Sequence, residues 1–501
     1  MASDVTYSTN PADWTQLEGV YISEEPVASQ VQGSDLNVTG WAGRCVKGPS
    51  SPTYVNSSER FQSVYGGMRA TQSGAIIGEV AKGLVGKQFA PLWVRRVTAS
   101  GAAAATLSLT QVRVSASSPG LWGNNLSAGV EGTDASLFDL RLIDNDSGKQ
   151  WLYQGFNVTG TNDNCLAIVG DDDAVPVKVT KLAAGRPANA SPAPLTGGTE
   201  GTLADSDYIA GITDIAYTDG VAICLVPEAS PTQSALNAAI LQLVADANDR
   251  VYLTWSGSPG NTVQQEVTAK GTQITTPHPR IYWFFNTAFV LDPLTGTKIE
   301  VAPHTWAASI LSRNAVDVHI GALQTLAQTM GVTGLHNEAL RRADLIQLRK
   351  AGICSFEHQK RGFRFRSGIA TDSTTRLVDR RQRDFLQISS GDYLAPFVDE
   401  PNVPIRRAMM AGGLSSFCDR LKSAQRIVDD YSVKIVGTDE ERANNMESIQ
   451  MNVRLIGHTE EIILKTNVAT GVTIDAGAVA TPVAVRSNRI SGRGLEGGGA
   501  L

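Results

Sequence analysis

Three stretches, "VAICLVP" (Val221 to Pro227), "RVYLTW" (Arg250 to Trp255) and "PRIYWFF" (Pro279 to Phe285), are nearly unbroken apolar runs, each too short for a helix. Such a run predicts a strand buried on both faces. Between them, "PTQSALNAAILQLVADAND" has helical periodicity, and the residues near Asn261 to Lys270 read as a second helix. Apolar strands alternating with amphipathic helices predict an α/β core with a largely parallel sheet covered on both faces.

The texture changes twice along the chain. The N-terminal part predicts a strand and loop in "VTGWAGRCVKGP", then a helix in "NSSERFQSVYGG" capped by Ser57 or Ser58 and ended by Gly66 and Gly67. A further helix around Ser73 to Gly83 and the strand "APLWVRRV" complete this α/β opening. From about Gly101 to Gly201 the chain is β-rich, with alternation in "ATLSLTQVRVSA", "FDLRLIDNDSGKQWLYQGFNV" and "VPVKVTKL" and a linker "RPANASPAPLTGG". This predicts an inserted all-β domain. After about Gly334 the chain turns helical and basic, with a helix from about Pro404 to Asp430 and late strands in "SIQMNVRLIG" and "TEEIILKTNVATGVTI". Beyond Asp475 its composition predicts an extended or mobile tail. The expected division is 1–36, an N-terminal arm; 37–100 and 204–360, the α/β core; 101–203, the insertion; 361–474, an inner domain with a C-terminal arm strand; and 475–501, the tail.

With 501 residues, two to four domains are expected, and a net charge of -6 argues against a general nucleic-acid binder. No apolar run approaches the ~20 residues of a membrane span, and "MASDVTYSTN" has no secretory signal, so no membrane insertion and a cytoplasm-like compartment are expected. The cysteines Cys45, Cys165, Cys224, Cys354 and Cys418 are odd in number and widely spaced, which predicts buried reduced thiols.

Signatures of chemistry are weak. There is no P-loop, and the GxGxxG match at Gly492, Gly494 and Gly497 has too little chain after it to form the required helix. The six histidines (His278, His304, His319, His336, His358 and His458) show no zinc-ligand spacing. The clusters "DNDSG" (Asp144 to Gly148) and Asp171 to Asp173 fit hairpin turns better than calcium loops. No nucleophile elbow or triad is recognisable. Neither an enzyme nor a cofactor is expected. The basic segment Arg341 to Arg383, where Phe363 and Phe365 alternate with Arg364 and Arg366, reads as salt bridges within the subunit or as a docking face for an acidic protein; nucleic acid ranks third, because the aromatics read as core residues and not as an exposed stacking platform.

Near the start, "LEGVYISEEPV" reads as a short strand with Val20 and Ile22 on one face and Tyr21 on the other, yet no hairpin turn follows. Its backbone groups must pair with a distant segment or another chain.

Taken in order, "GVYISEE", "GWAGRCVKGP" and "FQSVYGG" resemble the opening of contractile tail sheath proteins of bacteriophages and related injection machines. "SSPGLWGNNLSAGV" is similar to that family's Gly-Trp-Gly-Asn turn, although Leu121 here separates the Gly from the Trp. "LTGGTEG", "ICLVP", "LDPLTGTKIEVAP" and "WAASILSRNAVDV" resemble its central region. "LRKAGICSF" and "PNVPIRRAMMAGGLSSFCDRL" are similar to its C-terminal region. The tail after Asp475 has no counterpart.

The resemblance implies a structural subunit of the virion tail, assembled in the host cytoplasm. It implies a homo-oligomer of stacked hexameric rings around an inner tail tube, with baseplate and tail terminator proteins as further partners and no direct contact with nucleic acid. Contraction would drive the tube through the host envelope for genome delivery. Terminal arms would exchange strands, pairing Val20, Tyr21 and Ile22 with Ile462, Ile463 and Leu464 of a different subunit. Arg406, Arg407, Arg420 and Lys422 are expected to face the tube. A baseplate or receptor-binding component, and an α/β enzyme with an inserted β domain, stay open on the sequence.

Overall fold

The computed structural model describes residues 5–7, 20–22, 31–66, 91–157, 169, 175–291, 298–322 and 332–457, apart from positions 34, 135, 248 and 445. Two short strands come first, β1 (Val5–Tyr7) and β2 (Val20–Ile22). They pair in parallel, with Val5 opposite Val20 and Tyr7 opposite Ile22. The opening strand thus has a partner upstream in the chain, in parallel, where a hairpin turn downstream would have been the simpler signal.

Next come β3 (Thr39–Gly43), β4 (Thr53–Val55), α1 (Ser58–Tyr65) and β5 (Leu92–Arg96). Ser57 caps α1, its hydroxyl accepting the Arg60 N–H at 3.2 Å, and Gly66 ends it at φ 85°. The helix expected around Ser73 to Gly83 lies outside the described residues.

The β-rich stretch supplies β6 (Thr106–Leu109), β7 (Val112–Ala116), β8 (Leu126–Glu131), β9 (Phe138–Asp144), β10 (Gln150–Phe156), β11 (Val177–Lys181) and β12 (Ala190–Pro194). They form two antiparallel sheets, ordered β10-β9-β8-β12 and β11-β7-β6, around one apolar cluster that includes Val114, Leu126, Leu140, Phe156 and Val177. The run "ATLSLTQVRVSA" is two strands, because the chain reverses at Thr110, which takes φ 50°, and Gln111. "DNDSG" is the β9–β10 turn, with the Asp144 carboxylate accepting the Asp146 N–H at 3.0 Å and the Ser147 hydroxyl at 2.9 Å. Asp171 to Asp173 lie outside the described residues.

The two ends of the stretch are bridged to each other, Ala103 opposite Thr199 and Thr106 opposite Thr196. Trp122 is buried in a 3-10 turn, Leu121–Asn125, that follows Gly120. Two residues on, the Asn124 amide donates to Gly198 O at 3.0 Å and accepts the Gly198 N–H at 2.9 Å. Position 198 must be glycine here, since a Cβ would sit 2.5 Å from Gly120 O.

The chain then returns through α2 (Asp205–Ala216), β13 (Ile223–Leu225), α3 (Gln233–Asp246), β14 (Val251–Thr254), α4 (Val263–Gln273), β15 (Ile281–Phe285), β16 (Ala288–Leu291), β17 (Lys298–Val301), α5 (Pro303–Arg313), β18 (Val332–Leu335), α6 (Arg342–Lys350), β19 (Ile353–Gln359) and β20 (Gly362–Arg366). The central sheet has eight strands in the order β20-β19-β15-β14-β13-β3-β5-β4. Its inner six are parallel, and each edge strand, β4 and β20, is antiparallel. Both faces are buried: Leu225, Leu253 and Phe284 pack with Trp306 and Ile310, while Cys224, Tyr252 and Trp283 pack with Ile212, Leu236 and Ile240. That double burial is why the strands read as continuous apolar runs. Strands β16, β17 and β18 form a separate small sheet.

The C-terminal part adds α7 (Leu377–Leu394), α8 (Pro404–Ser423), β21 (Val428–Ile435), α9 (Asp439–Ala443) and β22 (Ile449–Leu455). The helix expected to reach Asp430 stops at Ser423. Gln425 takes φ 52°, and the chain leaves as β21, which pairs with β22 in a two-stranded ribbon.

Candidate functional site

Where strand order reverses in a doubly wound sheet, the carboxyl ends form the usual ligand crevice. Here the chain runs outward from β3 to β5, then resumes on the other flank of β3 at β13, so the crevice lies beyond Gly43 and Leu225. The chain fills it with its own residues. Arg96, buried at the end of β5, donates to Cys45 O at 3.1 Å, Val46 O and Gly48 O at 3.3 Å, and Pro119 O at 2.8 Å. Glu228 accepts the Arg44 N–H at 2.6 Å, and the Arg44 guanidinium reaches Glu200 at 3.4 Å. What remains between Arg44, Arg96, Glu200 and Leu203 is a pocket of about 30 Å³, enough for a few waters only.

The titratable groups beside the crevice are structural. His304, in the first turn of α5, is fully buried, donates from Nε2 to Val226 O at 2.7 Å, and stacks on Trp255 at 5.9 Å. Burial pushes its pKa down to about 4, so the ring is neutral. Glu266 is buried and accepts from the Asn261 amide and the Trp283 indole, both at 2.8 Å; desolvation raises its pKa. Cys45, Cys224, Cys354 and Cys418 are free and buried, and burial raises each thiol pKa, to about 12 for Cys224 and Cys354, which makes them poor nucleophiles. Cys165 lies outside the described residues. Among the described residues no group of three His, Cys, Asp or Glu side chains could hold a metal, and no helix is long and apolar enough to cross a membrane.

Part of the basic segment is paired within the chain. Glu357, buried on β19, faces Arg366 at 2.9 Å and Arg364 at 3.7 Å. Phe365 is a core residue, stacked on Phe356 at 4.3 Å. Asp384 on α7 accepts both Arg280 nitrogens at 2.9 Å and is also bridged by Arg380. Arg381, also buried, donates from one nitrogen to Leu36 O, Asn37 Oδ1 and Leu311 O.

All four cations expected to face a tube have partners inside the chain. Arg406 meets Glu400 at 2.7 Å, and Lys422 meets Asp430 at 3.0 Å. Arg407 donates to Asn402 and lies 3.8 Å from Glu447. Arg420 donates to Val31 O, a contact no local sequence pattern announces. Ile405 and Val398, both exposed apolar residues, lie at and before the start of α8.

Strand edges are the other candidate surface. In the β21–β22 ribbon, Tyr431, Val433, Met451 and Val453 pack against the core, and the base is fixed by the bidentate Arg426–Asp317 pair at 2.7 and 2.8 Å. Among the described residues β21 pairs only with β22, so both outer edges of the ribbon lack strand partners. β2 pairs through one edge with β1. Ile462, Ile463 and Leu464 lie outside the described residues, as do Gly492, Gly494, Gly497 and the rest of the tail.

No known family profile matches the chain, and no curated protein matches it in sequence. Solved structures do share its fold. A sheath tail protein from Desulfitobacterium hafniense is 14% identical with TM-score 0.59, the match covering 87% of this chain and 100% of that one. A sheath tail protein from Listeria innocua is 13% identical with TM-score 0.61, covering 85% and 96%. The helical sheath of the anti-feeding prophage in its contracted state is 13% identical with TM-score 0.53, covering 90% and 99%. The chain therefore has the contractile-sheath fold.

Proposed function

We propose that this chain is the subunit of a contractile tail sheath. The observation that carries the reading is the correspondence of fold over nearly the whole length of known sheath proteins, supported by a ligand crevice that the chain itself occupies. In this reading subunits stack as hexameric rings around an inner tube and join baseplate and tail terminator proteins at the ends. They assemble in the host cytoplasm as part of the virion tail. Contraction then drives the tube through the host envelope and delivers the genome. The β-rich stretch, 101–203, is the outer inserted domain, and 361–474 is the inner, tube-facing part.

The arms keep the array joined. The edge of β2 (Val20, Tyr21, Ile22) that no described strand covers takes Ile462, Ile463 and Leu464 of another subunit, and the edges of the β21–β22 ribbon, likewise unpaired among the described residues, suit the same kind of strand addition. Each added main-chain hydrogen bond is worth about 0.5–1.5 kcal/mol, so several form a tether that survives movement of the bodies. Energy for contraction comes from new contacts between bodies, a few kcal/mol per subunit summed over the array. On α8, Arg406 and Lys422 can exchange Glu400 and Asp430 for acids on the tube, while Arg407 and Arg420 keep their bonds to Asn402 and Val31. Such surface pairs are weak singly, which lets the sheath let go on expansion.

Negative-stain microscopy of the purified protein tests the reading. Long hollow cylinders are expected, and removal of Met1 to Val27 should leave folded monomers. A closed oligomer from the full chain would point to a baseplate component or an enzyme, and normal cylinders from the shortened chain would refute strand exchange by the N-terminal arm.

A further inference from the structure

We infer that residues 31–37 are the anchor of the N-terminal arm, riveted by Arg381 and Arg420 to the C-terminal helices so that the arm's root and those helices move as one piece. The geometry stands without the sheath reading; its purpose, to couple a pull on the arm to the inner part of the subunit, rests on that reading.

The anchor has three kinds of contact. Val31 and Leu36 are buried in the same apolar cluster as Leu386, Leu414 and Phe417 of α7 and α8. Gly33 lies so close to Phe385 that a Cβ would come within 2.8 Å of its ring. Arg420 reaches Val31 O from α8 while its guanidinium stands 6.0 Å over the Phe417 ring. At the other end of the segment Arg381 gathers Asn37 Oδ1 at 2.8 Å, Leu36 O at 3.3 Å and Leu311 O at 3.1 Å, so one side chain joins the arm root, α7 and the last turn of α5. Leu311 O is at the negative end of that helix, where a cation is favoured.

Arg381 is an unusual core residue. It is 2% exposed, and among the described residues it forms no ion pair and its Nε and Nη1 have no hydrogen-bond partner. Burial pushes its pKa down only to about 10, with Asp35, Asp317 and Asp384 acting from a distance, so it stays charged at neutral pH. A methionine of similar length would fill the space without burying a charge, and replacing buried ions by apolar groups is often neutral or stabilising. What only the arginine supplies is the set of bonds to residues 36, 37 and 311. Three residues further along α7, Asp384 binds Arg280, just before β15, so the helix that holds the arm is itself held to the central sheet.

Hydrogen exchange on the full-length, unassembled chain tests this. In Arg381→Met and in Arg420→Met, amides of residues 31–38 should exchange at least about tenfold faster while those of β13, β14 and β15 keep their wild-type rates. Gly33→Val, which leaves both arginines and wedges the segment off Phe385, should do the same, and Arg381→Lys should restore part of the protection. If residues 31–38 keep wild-type rates, or speed up no more than the sheet does, Arg381 is an ordinary core residue and the anchor is refuted. Cylinder formation by the wild-type chain is scored separately by microscopy; its failure counts against the sheath reading and leaves the exchange result standing.

Discussion

Lowering the pH should weaken this fold through one identifiable imidazole. His304 is fully buried, and its folded pKa of about 4 compares with about 6.5 for a histidine in the unfolded chain. Above pH 6.5 the ring is neutral in both states and its contribution is complete. Between 6.5 and 4 the unfolded chain takes up the proton and the folded chain does not, so stability falls as the pH falls. At about 1.36 kcal/mol per pH unit over about 2.5 units, the loss approaches about 3 kcal/mol by pH 4. The physical cause is burial: a charged ring would lose its hydration in the core, in the first turn of α5, where the helix end disfavours a cation.

Other groups titrate in the same range, so the measurement is a difference. His304→Gln keeps a donor for Val226 O and cannot titrate. Urea unfolding followed by tryptophan fluorescence should show the wild type losing stability relative to this variant by about 2 kcal/mol between pH 7 and pH 5. A difference that stays flat, within about 0.5 kcal/mol, over that interval would mean that His304 is hydrated or repositioned in the folded protein, and the reasoning would fail.

Two further outcomes are expected. Asp384→Asn strips the carboxylate from buried Arg280 and half-buried Arg380 and should cost about 3–5 kcal/mol, read from the shift in urea midpoint; Asp384→Leu with Arg280→Met should recover part of the loss because the buried Arg280 charge is then gone and Arg380 keeps its bond to Gln387. Gly198→Ala places a methyl 2.5 Å from Gly120 O and should cost about 1–3 kcal/mol, with faster hydrogen exchange confined to residues 103–106 and 196–199, where the ends of the β-rich stretch are bridged.

The parallel core was readable because burial on both faces leaves no polar alternation: Ile281 to Phe285 and Val251 to Thr254 could only be interior strands. Legibility failed wherever the signal was carried by a residue with no special preference. Thr110 turns β6 into β7 at φ 50° without a glycine or asparagine, and Gln425 ends α8 at φ 52° in the middle of a sequence that still reads as helix. The strand Val5–Tyr7 is too short for periodicity to register, so the partner of Val20 to Ile22 was hidden upstream. The interaction surface was the least legible part, because charge type says where a cation is and nothing about what it touches. Arg420, Arg406 and Lys422 look alike in the sequence of α8, yet one holds the carbonyl of Val31 across almost the whole chain and two sit at the surface in pairs that solvent can compete for. Removing Arg420 should therefore loosen Val31 from α8, whereas removing Arg406 or Lys422 should change only solvent-accessible ion pairs of that helix.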